Sequence, residues 1–469
     1  MVHAYGGAEP RLTSGGEAGV VGVKSYERVL ILRRYLTSGC AAAASSRLTL
    51  RINTDRCFEL GDTFDKVIQF ANSLLRCKSE ILECESEIDS ELSRACSCRA
   101  WWWIEEIIFD SIAHGIASIS LCGFGPQMNT DFTKLNDWRP PEHWPRITTI
   151  DMHTGGEPLR VIVDGLPPIE GRTVLEKRRY FREQYDYLRT GLMWEPRGHS
   201  DMYGAVITSS VDADFDVFFM HNEGYSTMCG HAIIALAKLA VETKLVSKHE
   251  MTINVPAGKV FARASVVDGQ VVETSFRNVP SFVYLRNQRV DVQGIGPVSF
   301  DVAYGGAFYA FVNALDVGLR LEPGQANQLI EYGLLIKHAV MSQFPITHPF
   351  EDDLSFLYGT IFTGPPHDST HHSRNVCIFA GGELDRSPTG SGVSARAALH
   401  FAAGELDLNQ RITIESILGS TMSVKVVEGT KFGPYDAVIP EVSGTAFITG
   451  RNEFYFDRDD PFQTGLILR

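Results

Sequence analysis

Thr227-Met-Cys-Gly-His-Ala-Ile-Ile-Ala-Leu-Ala237 returns later in the chain, in degenerate form, as Ser387-Pro-Thr-Gly-Ser-Gly-Val-Ser-Ala-Arg-Ala397. Aligning Cys229 with Thr389 places Gly230 on Gly390, Ile233 on Val393, Ala235 on Ala395, Ala237 on Ala397 and Leu239 on Leu399. Upstream, Glu223 and Glu383 fall at the same distance from the aligned pair, as do Phe219 and Phe379. Each copy reads as an apolar strand, a glycine-containing loop and a small-residue helix that starts just after the Cys or the Thr. A repeat of this kind implies two similar lobes facing each other. One lobe then offers a thiol to the cleft and the other a hydroxyl.

Working outward, 469 residues exceed one ordinary core, so two or three domains are expected. A hydrophobic content of 44% and a charged content of 21% are those of a globular protein. The net charge of −14 argues against nucleic-acid or anionic-membrane partners. The strongest apolar run, near Trp101 to Phe109, is broken by Glu105 and Glu106 and is too short to span a membrane. Cys40, Cys57, Cys77, Cys84, Cys96, Cys98 and Cys122 precede residue 123, which leaves Cys229 and Cys377 in the remainder. That is no disulfide framework; it suits a reducing compartment, and a cytoplasmic location is expected. Cys96-Ser-Cys98 lacks zinc or redox spacing, and no metal site is expected there.

Residues 1–145 differ in character from the rest of the chain. They hold Gly/Ala/Ser-rich patches, a charged helical segment (about 64–92) and Trp101-Trp102-Trp103, and are expected to be a poorly ordered extension. No charged–apolar–small order marks a signal peptide, and Glu9, Glu17 and Glu27 interrupt a transit-like reading. After Pro140-Pro141 and Pro145, a regular pattern begins. We expect lobe 1 over 146–297, lobe 2 over 298–450, and a segment 451–469 returning to lobe 1. Helices are expected over Arg178–Leu188, Gly230–Leu245, Pro323–Gln343 and Ser391–Ala403, the last ended by Gly404. Long antiparallel-looking strands with one main helix per lobe predict an α+β fold, two pseudo-symmetric lobes with the active site in the cleft between them.

A helix N-terminus favours negative charge, so the thiol of Cys229 is expected to lean toward thiolate. Gly230 allows close approach to the backbone. Two helix ends converging on one cleft, with Gly390-Ser391-Gly392 on the far side, suit a small carboxylate. Asp385 reads either as an acceptor for a ligand ammonium or as a turn residue. His231 either contacts the ligand or lines the helix start, and Phe379 either walls the ligand or packs in the core. The glycines of His153-Thr-Gly-Gly156 are read as structural, and His371-His372 as a solvated loop. No Gly-x-Gly fragment has nucleotide-binding spacing, so no cofactor is expected.

From about Ile147 to the C-terminus the chain resembles the proline racemase family, which includes 4-hydroxyproline 2-epimerases and trans-3-hydroxy-L-proline dehydratases. The resemblance rests on Asp151-Met-His-Thr-Gly-Gly-Glu-Pro-Leu-Arg160, Pro196-Arg-Gly-His-Ser-Asp-Met-Tyr203, Met228-Cys-Gly-His231, Ala303-Tyr-Gly-Gly306 and Asp385-Arg-Ser-Pro-Thr-Gly390. In that family the Met-Cys-Gly-His cysteine is one base, and a second cysteine follows Asp-Arg-Ser-Pro. Position 389 is Thr here, which implies the dehydratase branch. The same resemblance implies Cys229 as catalytic, Gly230, His231, Asp385, Thr389, Gly390 and Ser391 as substrate-binding, and a homodimer.

The chemistry gives that Thr a reason. Racemisation needs an acid and a base on opposite faces, and a Thr hydroxyl fills neither role near neutral pH. Elimination needs one working face. A cofactor-independent hydro-lyase acting on a small cyclic imino acid is therefore expected, with racemase or epimerase activity as the alternative and a non-catalytic amino-acid-binding protein as the alternative of another class.

Overall fold

The computed structural model describes residues 50–52, 117–119 and 132–468. It divides into a unit up to Trp138 and a unit from Arg139 onward. In the first, strands Leu50–Ile52 and Ala117–Ile119 pair antiparallel and a short helix spans Thr133–Asp137. The helical segment expected over 64–92, the three tryptophans and the seven early cysteines lie outside the described residues.

The second unit opens with β1 (Arg146–Thr154), β2 (Glu157–Asp164), α1 (Val174–Met193), β3 (Tyr203–Thr208), β4 (Phe215–His221), β5 (Tyr225–Ser226), α2 (Gly230–Glu242), β6 (Glu250–Val255), β7 (Gly258–Val267) and β8 (Gln270–Arg277). The plan then repeats as β9 (Ser281–Val292), β10 (Gly296–Tyr304), β11 (Phe308–Asn313), α3 (Ala326–Gln343), β12 (Leu357–Gly364), β13 (Ser373–Phe379), β14 (Glu383–Leu384), α4 (Gly390–Ala403), β15 (Arg411–Glu415), β16 (Thr421–Phe432) and β17 (Tyr435–Gly444), with β18 (Ala446–Tyr455) last.

The sheets repeat strand for strand. Lobe 1 runs β18-β1-β2-β3-β4-β6-β7-β8, and lobe 2 runs β9-β10-β11-β12-β13-β15-β16-β17 and closes where Ser281 and Phe282 of β9 meet Val438 and Ala437 of β17. Both are antiparallel except at two equivalent junctions, β2–β3 and β4–β6 in one and β11–β12 and β13–β15 in the other. The lobes exchange strands: the chain crosses from lobe 1 to lobe 2 between β8 and β9, and returns between β17 and β18, whose partner is β1. The lobe boundary expected after residue 297 therefore falls inside the β9–β10 hairpin, both strands of which pack on α4. The crossing lies near Asn278.

Each barrel wraps one helix. In α2, Gly230 to Ala237, Leu239 and Ala240 are buried, and in α4 every residue from Gly390 to Ala398 is. Helices apolar nearly all round fit only inside such walls, and Ala232, Ala235, Ala237 and their counterparts keep them thin enough. The outer helix α1 shows a different sequence logic. Thr173 accepts from Glu176 N (3.2 Å) while the Glu176 carboxyl accepts from Thr173 N (3.2 Å), a reciprocal cap that fixes its start. Helix α4 stops at Gly404, whose φ of 72° turns the chain away. No helix among the described residues is long and apolar enough to cross a membrane.

Candidate active site

The N-termini of α2 and α4 meet between the lobes. A methyl group on Gly230 would lie 2.6 Å from Gly390 Cα, and one on Gly390 would lie 2.7 Å from Gly230 Cα. Glycine is required at both positions because backbone touches backbone. The residues before these glycines differ in conformation as well as chemistry. Cys229 is extended (φ −142°, ψ 105°) and its Sγ accepts from Ala232 N–H at 3.4 Å, capping its own helix. Thr389 has φ 68° and ψ 90°, an arrangement that costs a β-branched residue on the order of 1–3 kcal/mol. Three hydrogen bonds hold it there: Thr389 N to Ser387 Oγ (3.1 Å), its hydroxyl to Asp385 Oδ2 (2.8 Å) and Val393 N to its carbonyl (2.7 Å).

One cavity between the lobes is lined by Cys229, Gly230, His231, Asp385, Thr389, Gly390 and Ser391, together with Tyr203, Met228, Tyr309, Tyr358 and Phe379. All seven residues singled out from sequence thus come together. The amides of Gly230, His231, Gly390 and Ser391 open their helices, where no preceding turn supplies an acceptor. Asp385 holds the turn it was read as a candidate for, its Oδ1 accepting from Ser387 N at 2.7 Å, and it also lines the cavity. Phe379 likewise lines the cavity and stacks on Tyr358 with ring centroids 5.4 Å apart. The enclosed space is only ≈ 20 Å³, about one water's worth.

Protonation departs from the expectation. Burial pushes the Cys229 thiol well up, the Ala232 N–H and the Tyr203 hydroxyl offset this in part, and Asp385 and Glu157 add to the rise. The expected bias toward thiolate is thus reversed in the closed cleft, because losing water outweighs the helix end. Burial holds His231 below the usual imidazole range against the pull of Asp385, and its Nδ1 lies 3.1 Å from Cys229 Sγ. A thiol therefore faces a neutral base. Glu157, wholly buried, is pushed up by burial and then by Asp385, while its Oε2 accepts from Arg386 N at 2.7 Å. Tyr203, Tyr309 and Tyr358 are all raised by burial.

Those tyrosines were missed as site residues. Tyr309 Oη lies 2.7 Å from Ser391 Oγ, and Tyr203 Oη bonds Ser226 Oγ. Tyr203 closes one of the quoted motifs and Tyr309 follows Gly305-Gly306, which were usable signals; Tyr358 had none. Gly155-Gly156 and Gly305-Gly306 occupy the same β1–β2 and β10–β11 turns of the repeat. A methyl at Gly305 would lie 2.2 Å from Ser391 O. His371 Nδ1 lies 2.9 Å from Glu415 Oε1 and His372 Nδ1 2.8 Å from Ser373 Oγ, away from the cavity lining.

A family model described as proline racemase matches residues 149–467. A protein of Colwellia psychrerythraea named trans-3-hydroxy-L-proline dehydratase is 51% identical over 345 residues, covering 72% of this chain and 97% of its own. The Homo sapiens protein of that name is 46% identical over 337 residues, covering 69% and 95%. The crystal structure of a hydroxyproline epimerase from Agrobacterium vitis with bound trans-4-OH-L-proline matches with a TM-score of 0.65 at 29% identity, over 69% of this chain and 96% of that one.

Proposed function

The chain belongs to the proline racemase family, and we propose that within it the protein works from one face only, dehydrating trans-3-hydroxy-L-proline with Cys229 as its base. The observation that carries this is the facing pair itself: a sulfur before one helix and, across abutting glycines, a threonine hydroxyl already committed to Asp385. In the trans substrate the carboxylate and the hydroxyl lie on opposite ring faces, so the C2 hydrogen and the C3 hydroxyl share one.

When the cleft opens to admit the substrate, the burial that disfavours both charges is relieved, and with Asp385 favouring the imidazolium the thiol proton passes to His231 Nδ1, 3.1 Å away. The thiolate takes the C2 proton, and its electron pair forms the C2–C3 double bond as the C3–O bond breaks. The new S–H protonates the departing hydroxide, which restores the thiolate and releases water. Charge developing on the carboxylate is met by the amides of Gly230, His231, Gly390 and Ser391. Asp385 accepts from the ring ammonium, and Thr389 orients the ring or a water. The enamine then tautomerises to Δ1-pyrroline-2-carboxylate. Closure over the ring keeps water from the carbanion. The same reading takes residues 1–145 as lying outside the catalytic unit. The family resemblance and the two late cysteines support a cytoplasmic homodimer.

The test is incubation with trans-3-hydroxy-L-proline, with cis- and trans-4-hydroxyproline, and with L-proline. Imine formed from the first alone is the expected result. Changed optical rotation of the others would mark an epimerase or racemase, and binding without turnover a sensor.

A further inference from the structure

Six lysine and arginine side chains are buried among the described residues: Arg160, Lys177, Arg178, Arg189, Arg374 and Arg396. Five hold a carboxylate, respectively Asp151, Asp216, Asp353, Asp186 and Glu415. Arg396 does not. Though only 7% exposed, it donates through Nη1 to two neutral acceptors, Ser373 Oγ and Asn375 Oδ1 (both 2.8 Å), and forms no ion pair. Leaving a buried charge uncompensated is expensive. The repeat shows that packing does not demand it, because the equivalent position in α2 is Leu236, a core residue. An arginine stands where the fold is content with a leucine.

Arg396 lines a cavity of ≈ 300 Å³ on lobe 2, distinct from the catalytic one and lined also by Arg286, Asp301, Asp316, His400 and Glu405. His400 Nε2 is buried there without a partner. The three carboxyl side chains are each tied from one side: Asp301 by Asn287 N (2.7 Å), Asp316 by Asn313 Nδ2 (3.2 Å) and Glu405 by His400 Nδ1 (2.7 Å). A buried guanidinium, Arg396, beneath three carboxyl groups and one exposed arginine, Arg286, suits a ligand carrying both signs. A multiply charged anion would meet the rim as a barrier, and a simple carboxylate would gain nothing from it. The volume accommodates a small amino acid.

We propose that this cavity is a second binding site, for a small zwitterionic amino or imino acid whose carboxylate is taken by Arg396 and whose ammonium faces the acidic rim. The proposal does not depend on the chemistry assigned to Cys229.

The test is thermal unfolding of the full chain with L-proline, L-alanine, acetate and inorganic phosphate. It is run in a Gly230→Ala background, whose added methyl forces apart the two helix ends that form the catalytic carboxylate site, and again with Arg396→Leu added. The expected result is a midpoint raised by about 2–4 °C by the amino acids at saturation, unmatched by acetate or phosphate and lost with Arg396→Leu. No shift in Gly230→Ala, a shift that survives Arg396→Leu, or an equal shift with phosphate would each overturn the proposal. Should Arg396→Leu not fold, Asp316→Asn in the same background, which removes one rim carboxylate, must weaken half-saturation at least several-fold; an unchanged value would count equally against it.

Discussion

Replacing Gly230 with Ala tests whether the contact between the two helix ends sets the catalytic geometry. The added Cβ would stand 2.6 Å from Gly390 Cα, 2.7 Å from Gly390 C and 3.0 Å from Ser391 N, all backbone atoms of the opposite lobe. None is the end of a flexible side chain. Ordinary contact begins near 3.4 Å, so the lobes must stand off by roughly 1 Å, a misplacement that costs on the order of 10²-fold in rate. The overpacking cost is about 1–3 kcal/mol, and a better helix former at the first turn returns up to about 1 kcal/mol; the variant should therefore fold. The assay is the initial rate of trans-3-hydroxy-L-proline dehydration on protein with a verified cooperative melt. Gly224→Ala serves as the control, because a Cβ there meets nothing within 4 Å. If Gly230→Ala keeps kcat/KM within tenfold of the parent, the abutting helix ends do not control the chemistry.

Further outcomes rest on the same geometry. Cys229→Ser should lose at least about 10³-fold in turnover, because a serine hydroxyl is a far weaker acid than a thiol, with the melting midpoint nearly unmoved; substantial residual dehydration would remove Cys229 as the base. Thr389→Cys should introduce solvent deuterium at C2 of proline, read by mass spectrometry in D2O, and a folded variant showing no incorporation from D-proline would refute the two-face arrangement. His348 is buried among Tyr304, Phe350 and Phe432, and burial holds its pKa down to about 4. The unfolded chain then binds the extra proton between pH 6.5 and 4, so this contribution is intact above pH 6.5 and drains away as pH falls toward 4. His348→Phe should flatten the melting midpoint against pH in that window; an unchanged slope would assign the acid loss to other groups.

What the sequence disclosed tracks how locally each feature is specified. Cys229-Gly230-His231 and Asp385 to Ser391 were legible because helix starts carry their chemistry within a few residues, and because the device occurs twice. The tyrosines were not, because Tyr203, Tyr309 and Tyr358 arrive on strands β3, β11 and β12, far apart in the chain. The strand exchange was hidden for a related reason. Nothing in the alternation from β8 into β9 tells which helix the residues after Asn278 cover, and only the pairing of Ser281 with Val438 decides it. Protonation was least legible. The helix end beside Cys229 can be read from residue types, but the burial that reverses its effect depends on the opposite lobe, whose Asp385 stands 156 positions later.

The repeat supplies its own control, and its two copies part in a consistent direction. In lobe 1 the side chain before the helix turns back on it, with Sγ accepting from Ala232 N–H and lying 3.1 Å from His231 Nδ1. In lobe 2 the backbone is held at φ 68° by a loop that does not depend on the side chain alone, since Ser387 Oγ and the carbonyl bond from Val393 hold it as well. The hydroxyl is thereby aimed at Asp385 and not at its own helix amides. The difference between the faces is therefore written in the backbone as well as in the atom. A thiol placed at 389 would inherit that conformation and the neighbouring Asp385, which disfavours thiolate. Exchange through that face should be slower than through Cys229 even when both are sulfur, and the ratio of the two rates measures how far the loop has been committed to work on one side.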